Sequence, residues 1–306
     1  MSADAERMDP LGATFAALTA VLYGTSYVGT GIALASFGPL TVASLRGLLG
    51  LLALGVFLLL PVGIRWRQGL LPRSSWVRLL VLGIIGGPLF LASMNTAVSL
   101  SGATITSFVA GSYAVLAAAL AIPLLRERLS LRIGLGLGLA LLGTALLAEL
   151  HARPDELRGI GWGLAAAVAF AVFLVLSRRW VSPYGLDSAT VAITTLALTP
   201  LGAGAVALVA GERLPVAPEP AAVAAIAWLA IGPGAAAAML VVGSMRRLSA
   251  ARASAFLLLN PPVATLGGAL LLGERLSPLQ LVGALLVLVA IGTATGAWRL
   301  LAGLRP

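Results

Sequence analysis

Thr19, Tyr23, Ser26, Tyr27 and Thr30 follow one another at spacings of 4, 3, 1 and 3 residues. On a helix those steps put all five hydroxyls on one face, while the other faces are Ala, Val and Leu. A polar face on an apolar helix must meet a neighbouring helix or water. Two tyrosines are bulky for tight packing, so the stripe reads as the lining of a solute cavity. Interhelical hydrogen bonding, worth about 0.6 kcal/mol per contact, is the alternative. Phe170 and Phe173, with Ser177 a turn beyond, offer ring faces to an apolar or aromatic solute, or pack as core. Asn260-Pro261-Pro262 removes two helical donors and frees the carbonyls near Leu257 and Leu258. Beside the Asn260 amide this suits an amino group or a carboxylate, and a plain hinge is the competing reading. Ser107 shares a face with Thr104 and Gly111, small enough for a close helix crossing, and joins the candidate substrate contacts.

Arg46 is the one charge well inside an apolar span, roughly 9 Å from its outer end at 1.5 Å per residue. It either snorkels outward or bonds a neighbouring carbonyl, or it attracts a substrate carboxylate at a gate. Gly86-Gly87-Pro88 and Gly232-Pro233-Gly234 interrupt two further helices and read as bending points. Arg46, Gly87, Pro88, Pro233, Gly234, Pro261 and Pro262 therefore form the candidate hinge or gate set.

Other chemistries lack their residues. None of the 11 carboxylates lies deep in a span, which argues against an acid-based proton relay or a polycation site. The only histidine, His151, falls in a loop between the two halves and reads as a surface residue. A hydrolase would need an activated nucleophile, and no histidine, metal cluster or paired intramembrane acid is placed to make one. Cysteine and lysine are both absent. Disulfides, thiolate sites and a Walker lysine are thereby excluded. Gly134, Gly136 and Gly138 lack the strand and basic residue of a phosphate loop and read as helix or oligomer contacts. Glu127 and Glu274 read as neutralising arginine and the helix N-terminus that follows.

The elements holding these residues are set by composition. The chain has 306 residues, 59% hydrophobic and 10% charged, against about a quarter charged in soluble domains. An ordinary cytosolic enzyme and a disordered chain are both excluded. Apolar stretches of roughly 20 residues, the length that spans a bilayer, are expected at 11–35, 40–60, 77–98, 103–124, 132–149, 160–181, 188–210, 221–245, 252–272 and 278–298. Ser277 before Pro278 reads as an N-cap with proline at the first helical position. The acidic start (Asp4, Glu6 and Asp9 against Arg7) lacks the positive region of a signal peptide, so the first stretch is expected to remain as a helix. The net charge of +9 is a matter of topology here, not of nucleic acid. Fifteen arginines fall on one face and four (Arg153, Arg158, Arg213, Arg275) on the other, which puts both termini in the cytoplasm.

Self-comparison gives an offset of 147 residues. Glu127-Arg128-Leu129-Ser130 recurs as Glu274-Arg275-Leu276-Ser277, Tyr23-Gly24 with Val28 falls on Phe170-Ala171 with Val175, and Gly136 falls on Gly283. Leu100-Ser101 and Phe108 match Leu248-Ser249 and Phe256 after one register slip. The expected fold is an all-α polytopic membrane protein: a five-helix repeat over 1–150 and a second over 151–306, around a central cavity. Five spans per half is odd, so the second repeat must insert inverted, a transporter architecture with its site at the midplane.

Asn260-Pro261-Pro262-Val263, followed by Gly273-Glu274-Arg275-Leu276-Ser277-Pro278-Leu279-Gln280 and Gly283, resembles the drug/metabolite transporter superfamily in its EamA-type branch. Within it the nearest likeness is to YddG-type amino-acid exporters. The first half departs from the pattern, with Tyr113 where the proline would fall and Arg126 before the glutamate. The resemblance implies ten helices, alternating access and export of amino acids, aromatic ones included, from the bacterial inner membrane. It implies no cofactor and no metal. The partners it implies are a small-molecule substrate and membrane lipid, without nucleic acid or an obligate protein partner. A carrier of multidrug or lipophilic-cation type is the alternative, and an intramembrane enzyme a more distant one.

Overall fold

The computed structural model of the chain describes residues 9–59, 73–125, 131–148, 154–180, 186, 188–245, 247, 256 and 259–295. Its regular elements are all helical. They run α1 (Pro10–Ala33), α2 (Pro39–Leu59), α3 (Arg73–Ile84), a π-helical turn (Ile85–Leu89), α4 (Phe90–Gly111), α5 (Tyr113–Leu125) and α6 (Leu131–Ala148). The second half runs α7 (Pro154–Trp180), α8 (Ser188–Val209), α9 (Pro220–Leu229), a second π-helical stretch (Ala230–Ala236), α10 (Ala237–Met245), α11 (Asn260–Leu271) and α12 (Pro278–Thr295). The first Glu-Arg-Leu-Ser loop, His151, Leu248-Ser249, the carbonyls of Leu257 and Leu258, and most of the counted arginines lie outside the described residues.

Prolines open many of these helices, because the missing N–H belongs to a donor that the first turn leaves unpaired anyway. This moves one expected boundary. Pro154 begins α7, with Asp155 and Glu156 in its first turn, six residues before the expected start of that span. Pro261 and Pro262 stand in the first turn of α11, and most of the residues that precede it lie outside the described ones. The Ser277 cap is present. Gln280 N–H donates to Ser277 Oγ at 3.1 Å and Ser277 N–H to Gln280 Oε1 at 3.0 Å, a reciprocal capping box.

Among the described residues six helical runs are long and apolar enough to cross a membrane, and Gly134–Leu147 and Pro278–Thr293 are shorter apolar helices. One run, Ser75–Ala117, has 43 residues, about twice what a bilayer needs. It is divided at Gly102, whose φ of 80° and ψ of 170° break the helix. Less than half of the most apolar stretch of each run is buried, and Leu52, Val56, Val168 and Leu201 in these runs, with Leu141 and Leu285 in the shorter helices, are exposed. Such apolar surface is unusual on a soluble monomer and is what lipid requires. The chain is a multi-pass membrane protein.

Two duplicated sets of elements are legible in the boundaries. Pro220, Asn260 and Pro278 begin helices 147 residues after Arg73, Tyr113 and Leu131 do, and both π-helical stretches fall at corresponding places. Packing repeats the same correspondence. The equivalent pairs α2–α8 and α6–α12 pack on each other, the latter so closely that a methyl on Gly143 would stand 2.7 Å from the Gly283 carbonyl. The α5–α7 contact of one half with the other is answered by α11–α1.

Helix directions follow from individual contacts. Along α1, Gly24 meets Val263 and Gly31 meets Leu272, so α11 runs beside α1 in the same sense. Gly29 meets Leu229 and Gly232 meets Leu22, while Asp9 pairs with Arg247 at 3.0 Å, so α9 and α10 run against it. At the far end of α1 a second set of connections gathers on one face. Glu219 N–H donates to Ser36 Oγ, and Glu212 accepts from the N–H groups of Leu40 and Thr41 at the start of α2. There too, Glu274 accepts from the N–H groups of Ala103 and Thr104, at 2.6 and 2.8 Å. The expected sharing of faces among these connections is reproduced. The expected role of Glu274 is corrected: it caps the helix restarting after Gly102, because Ser277 and Gln280 already cap the helix that follows it.

Candidate functional site

The stripe on α1 turns inward. Thr19, Ser26, Tyr27 and Thr30 are buried and Tyr23 is half-buried, whereas Val21 on another face is exposed. Two of its hydroxyls are already engaged. Thr19 bonds back to the Phe15 carbonyl, and Thr30 reaches Asn95, whose amide in turn donates to the Pro39 carbonyl. The middle of the stripe differs. Arg46 of α2 points at it, 6% exposed, with its Nη1 donating to Ser26 Oγ at 3.0 Å. Tyr23 and Tyr27 stand beside the guanidinium, close enough to interact with its charge.

Arg46 is buried, and among the described residues it bonds a hydroxyl of α1 and no carbonyl. A guanidinium has five N–H donors, yet Ser26 Oγ is its only acceptor among the described residues, and no carboxylate stands within ion-pair distance. Holding a cation in this interior costs several kcal/mol, against about 1.5–3 kcal/mol returned by one hydrogen bond to a charged group. The charge is undercompensated.

Aromatic rings close the other side. Phe170 lies at the centre, its ring 4.7 Å from Phe90, 4.8 Å and edge-on to Tyr113, and 5.7 Å from Phe173. Tyr113 in turn stands near Tyr23 and Tyr27. Phe173 is also packed against Gly86 and the cluster of Leu79, Leu82 and Val191, so its position is largely one of core packing. Asn260 of α11 meets another face of α1: a methyl on Gly24 would stand 2.8 Å from the Asn260 backbone carbonyl oxygen, and residues two apart on a helix, such as Gly24 and Ser26, do not share a face. Asn260 is 7% exposed, and its Oδ1 has no hydrogen-bond partner. Ser107 is buried and donates to the Thr104 carbonyl, with α4 crossing α11 where Gly111 meets Pro261 and Thr104 meets Gly268.

Sequence reasoning placed Tyr23, Ser26, Tyr27, Phe170, Phe173, Ser107, Asn260 and Arg46 here but missed Phe90 and did not use Tyr113 as a contact. A signal for Tyr113 existed. It is the position equivalent to Asn260, as Tyr23 is to Phe170 and Ser26 to Phe173, each 147 residues apart. Gly87, Pro88, Pro233 and Gly234 lie in the two π-helical stretches, the second of which packs against α1. There Gly87 closes on the Thr195 carbonyl and Thr199, and Gly202 on Pro88. A cavity of about 290 Å³ opens on the Glu274 face, between Gly31 and Leu34 of α1, Val98 and Ala103 of α4, and Leu272. Another of about 430 Å³, lined by Pro262, Leu266 and Leu285, faces outward between α11 and α12.

Residues 10–148 and 157–295 each match the EamA-like transporter family. The chain belongs to that family. Its two matched segments begin and end 147 residues apart, the offset found by self-comparison. A relative from Archaeoglobus fulgidus, described as an uncharacterized transporter, is 24% identical over 278 residues, which span 90% of this chain and 95% of that protein. A solved structure titled only as the crystal structure of a protein shares the fold, with a TM-score of 0.63 and 20% identity over 93% of this chain and 98% of that one.

Proposed function

We propose that this EamA-family transporter is a secondary carrier exporting small organic solutes, amino acids among them, across the inner membrane by alternating access. The observation that carries the reading is the buried polar face of α1, met by Arg46 of α2 and by α11 of the second repeat, with Phe170 of α7 packed on Phe90 and Tyr113 nearby. A solute held between two repeats is released to either side as they rock about it. The directions of α3–α4 and α9–α10 support an inverted pair: equivalent elements run toward opposite faces. The 43-residue run divided at Gly102, the shorter helices α6 and α12, and α11 support ten crossings. Two tyrosines, two phenylalanines, serine and asparagine suit a neutral or zwitterionic solute with apolar bulk.

Uptake into liposomes containing only this protein tests the reading, with a panel of amino acids and lipophilic cationic drugs. Saturable flux of one or more amino acids is expected. Flux confined to the drugs, or no saturable flux of any solute, overturns it.

A further inference from the structure

Arg46 of α2 is a buried charge without a counter-ion. It is 6% exposed, and Ser26 Oγ is its one acceptor among the described residues. Described carboxylates that could neutralise it are engaged elsewhere. Glu212 and Glu274 accept from helix N-termini, and Asp9 and Asp155 pair with Arg247 and Arg158. The other donors of Arg46 do not end in packed protein. Among the described residues the fully enclosed side-chain atoms without a partner are Thr104 Oγ1, Ser177 Oγ and Asn260 Oδ1, none of them a guanidinium nitrogen or a tyrosine hydroxyl. The unused donors of Arg46 therefore open on a space between the helices, as do the hydroxyls of Tyr23 and Tyr27 on the α1 face that carries Ser26. Apolar side chains adjoin that space. Tyr27 belongs to a buried cluster with Leu91, Met94 and Ala166, and Phe90 packs against the same cluster.

A carboxylate answers this arrangement. It takes two parallel N–H···O bonds from a planar guanidinium and supplies the missing negative charge, and its remaining lone pairs can accept from tyrosine hydroxyls. Water would fill the space without balancing the charge. We infer that the site holds its solute by a carboxylate seated on Arg46, with Tyr23 and Tyr27 as further donors, so that the substrate class is organic carboxylates with an apolar or aromatic body. The inference rests on the transport reading and deepens it: amino acids qualify through their carboxylate, and the ammonium is not what selects them. Lipophilic cations fit poorly, because they would bring positive charge to an uncompensated guanidinium.

The test uses the full chain in nanodiscs at neutral pH, with binding read from the ligand-induced rise in melting temperature and transport read separately in liposomes. The probes are 3-phenylpropionate, its methyl ester, phenylalanine, phenethylamine and chloride. Wild type is expected to bind 3-phenylpropionate and phenylalanine about ten-fold or more tightly than the ester or the amine. Arg46→Gln should weaken both acids about ten- to hundred-fold and bring them within about two-fold of the ester. Ester and acid binding alike to wild type overturns the inference, even if amino-acid flux persists and the transport reading stands. So does phenylalanine binding where 3-phenylpropionate does not, which would make the ammonium the selected group. Chloride raising the melting temperature as much as the acids at equal concentration would make this an inorganic-anion site and overturn it as well. A folded Arg46→Gln that still prefers acid to ester has the same consequence. If Arg46→Gln is not recovered folded, Tyr27→Phe takes its place: it should weaken the acids about two- to twelve-fold and spare the ester, and an equal loss for both overturns the inference. Acid bound without flux of any solute would retain the site and sink the transport reading.

Discussion

At the scale of single residues, the site is a matter of which hydroxyls remain uncommitted. Thr19 bonds back to its own helix and Thr30 bonds Asn95, while Ser26 bonds Arg46 and Tyr23 and Tyr27 lie close enough to feel its charge. Tyr27→Ala and Asn260→Ala should each lower normalised uptake roughly two- to twelve-fold, the cost of about 0.5–1.5 kcal/mol for one hydrogen bond. Val21→Ala, 39% exposed on another face of α1, should leave uptake within error of wild type. Equal losses for Val21→Ala and Tyr27→Ala would assign the stripe to packing. The stripe was legible because a period of 3.6 is written locally, in neighbouring residues. Phe90 and Tyr113 were not, because their meeting with Phe170 depends on how α4, α5 and α7 cross, and no local spacing encodes a crossing.

At the scale of elements, breaks were legible and their form was not. Gly-Pro pairs announce that a helix cannot continue regularly, yet both became π-helical stretches, a shape that depends on which neighbour presses there. Gly87 lies against Thr195 and Thr199 of α8, contacts that no reading of residues 86–88 contains. The break at Gly102 is a tighter constraint. Its positive φ excludes ordinary side chains, and a methyl would stand 2.6 Å from Glu274 Oε1. Gly102→Ala should therefore lose about 1–3 kcal/mol and displace the Glu274 cap, seen as a lowered melting temperature. Ser277→Ala removes half a capping box and should cost about 1 kcal/mol, a smaller shift by the same measurement. An unchanged melting temperature for Gly102→Ala would mean that the helix does not break at this residue.

At the scale of the whole molecule, the arginine distribution and the contacts bear on the same question by independent routes. Charge counting sorted the connections into two faces, and the Asp9–Arg247 pair and the Glu212, Glu219 and Glu274 contacts join connections of the same predicted face. With the arginine-rich face in the cytoplasm, Ser74→Cys should be labelled only after permeabilisation and Pro218→Cys in intact cells. Labelling of Ser74→Cys by an impermeant reagent in intact cells would overturn that orientation. Coupling belongs to this scale too. The described carboxylates lie at helix ends and connections: Glu212 and Glu274 cap helices, Asp9 pairs with Arg247, and Asp155 pairs with Arg158. None joins Arg46 within ion-pair distance. A site whose fixed charge is an arginine has no group that must exchange a proton at neutral pH, so substrate alone should reset the carrier. Downhill amino-acid flux in liposomes should then persist when no proton gradient is imposed, with counter-flow accelerated by amino acid on the opposite side. Flux that vanishes without the gradient would place a titrating group in the transport path and would move the search to carboxylates outside the described residues, Glu127 first.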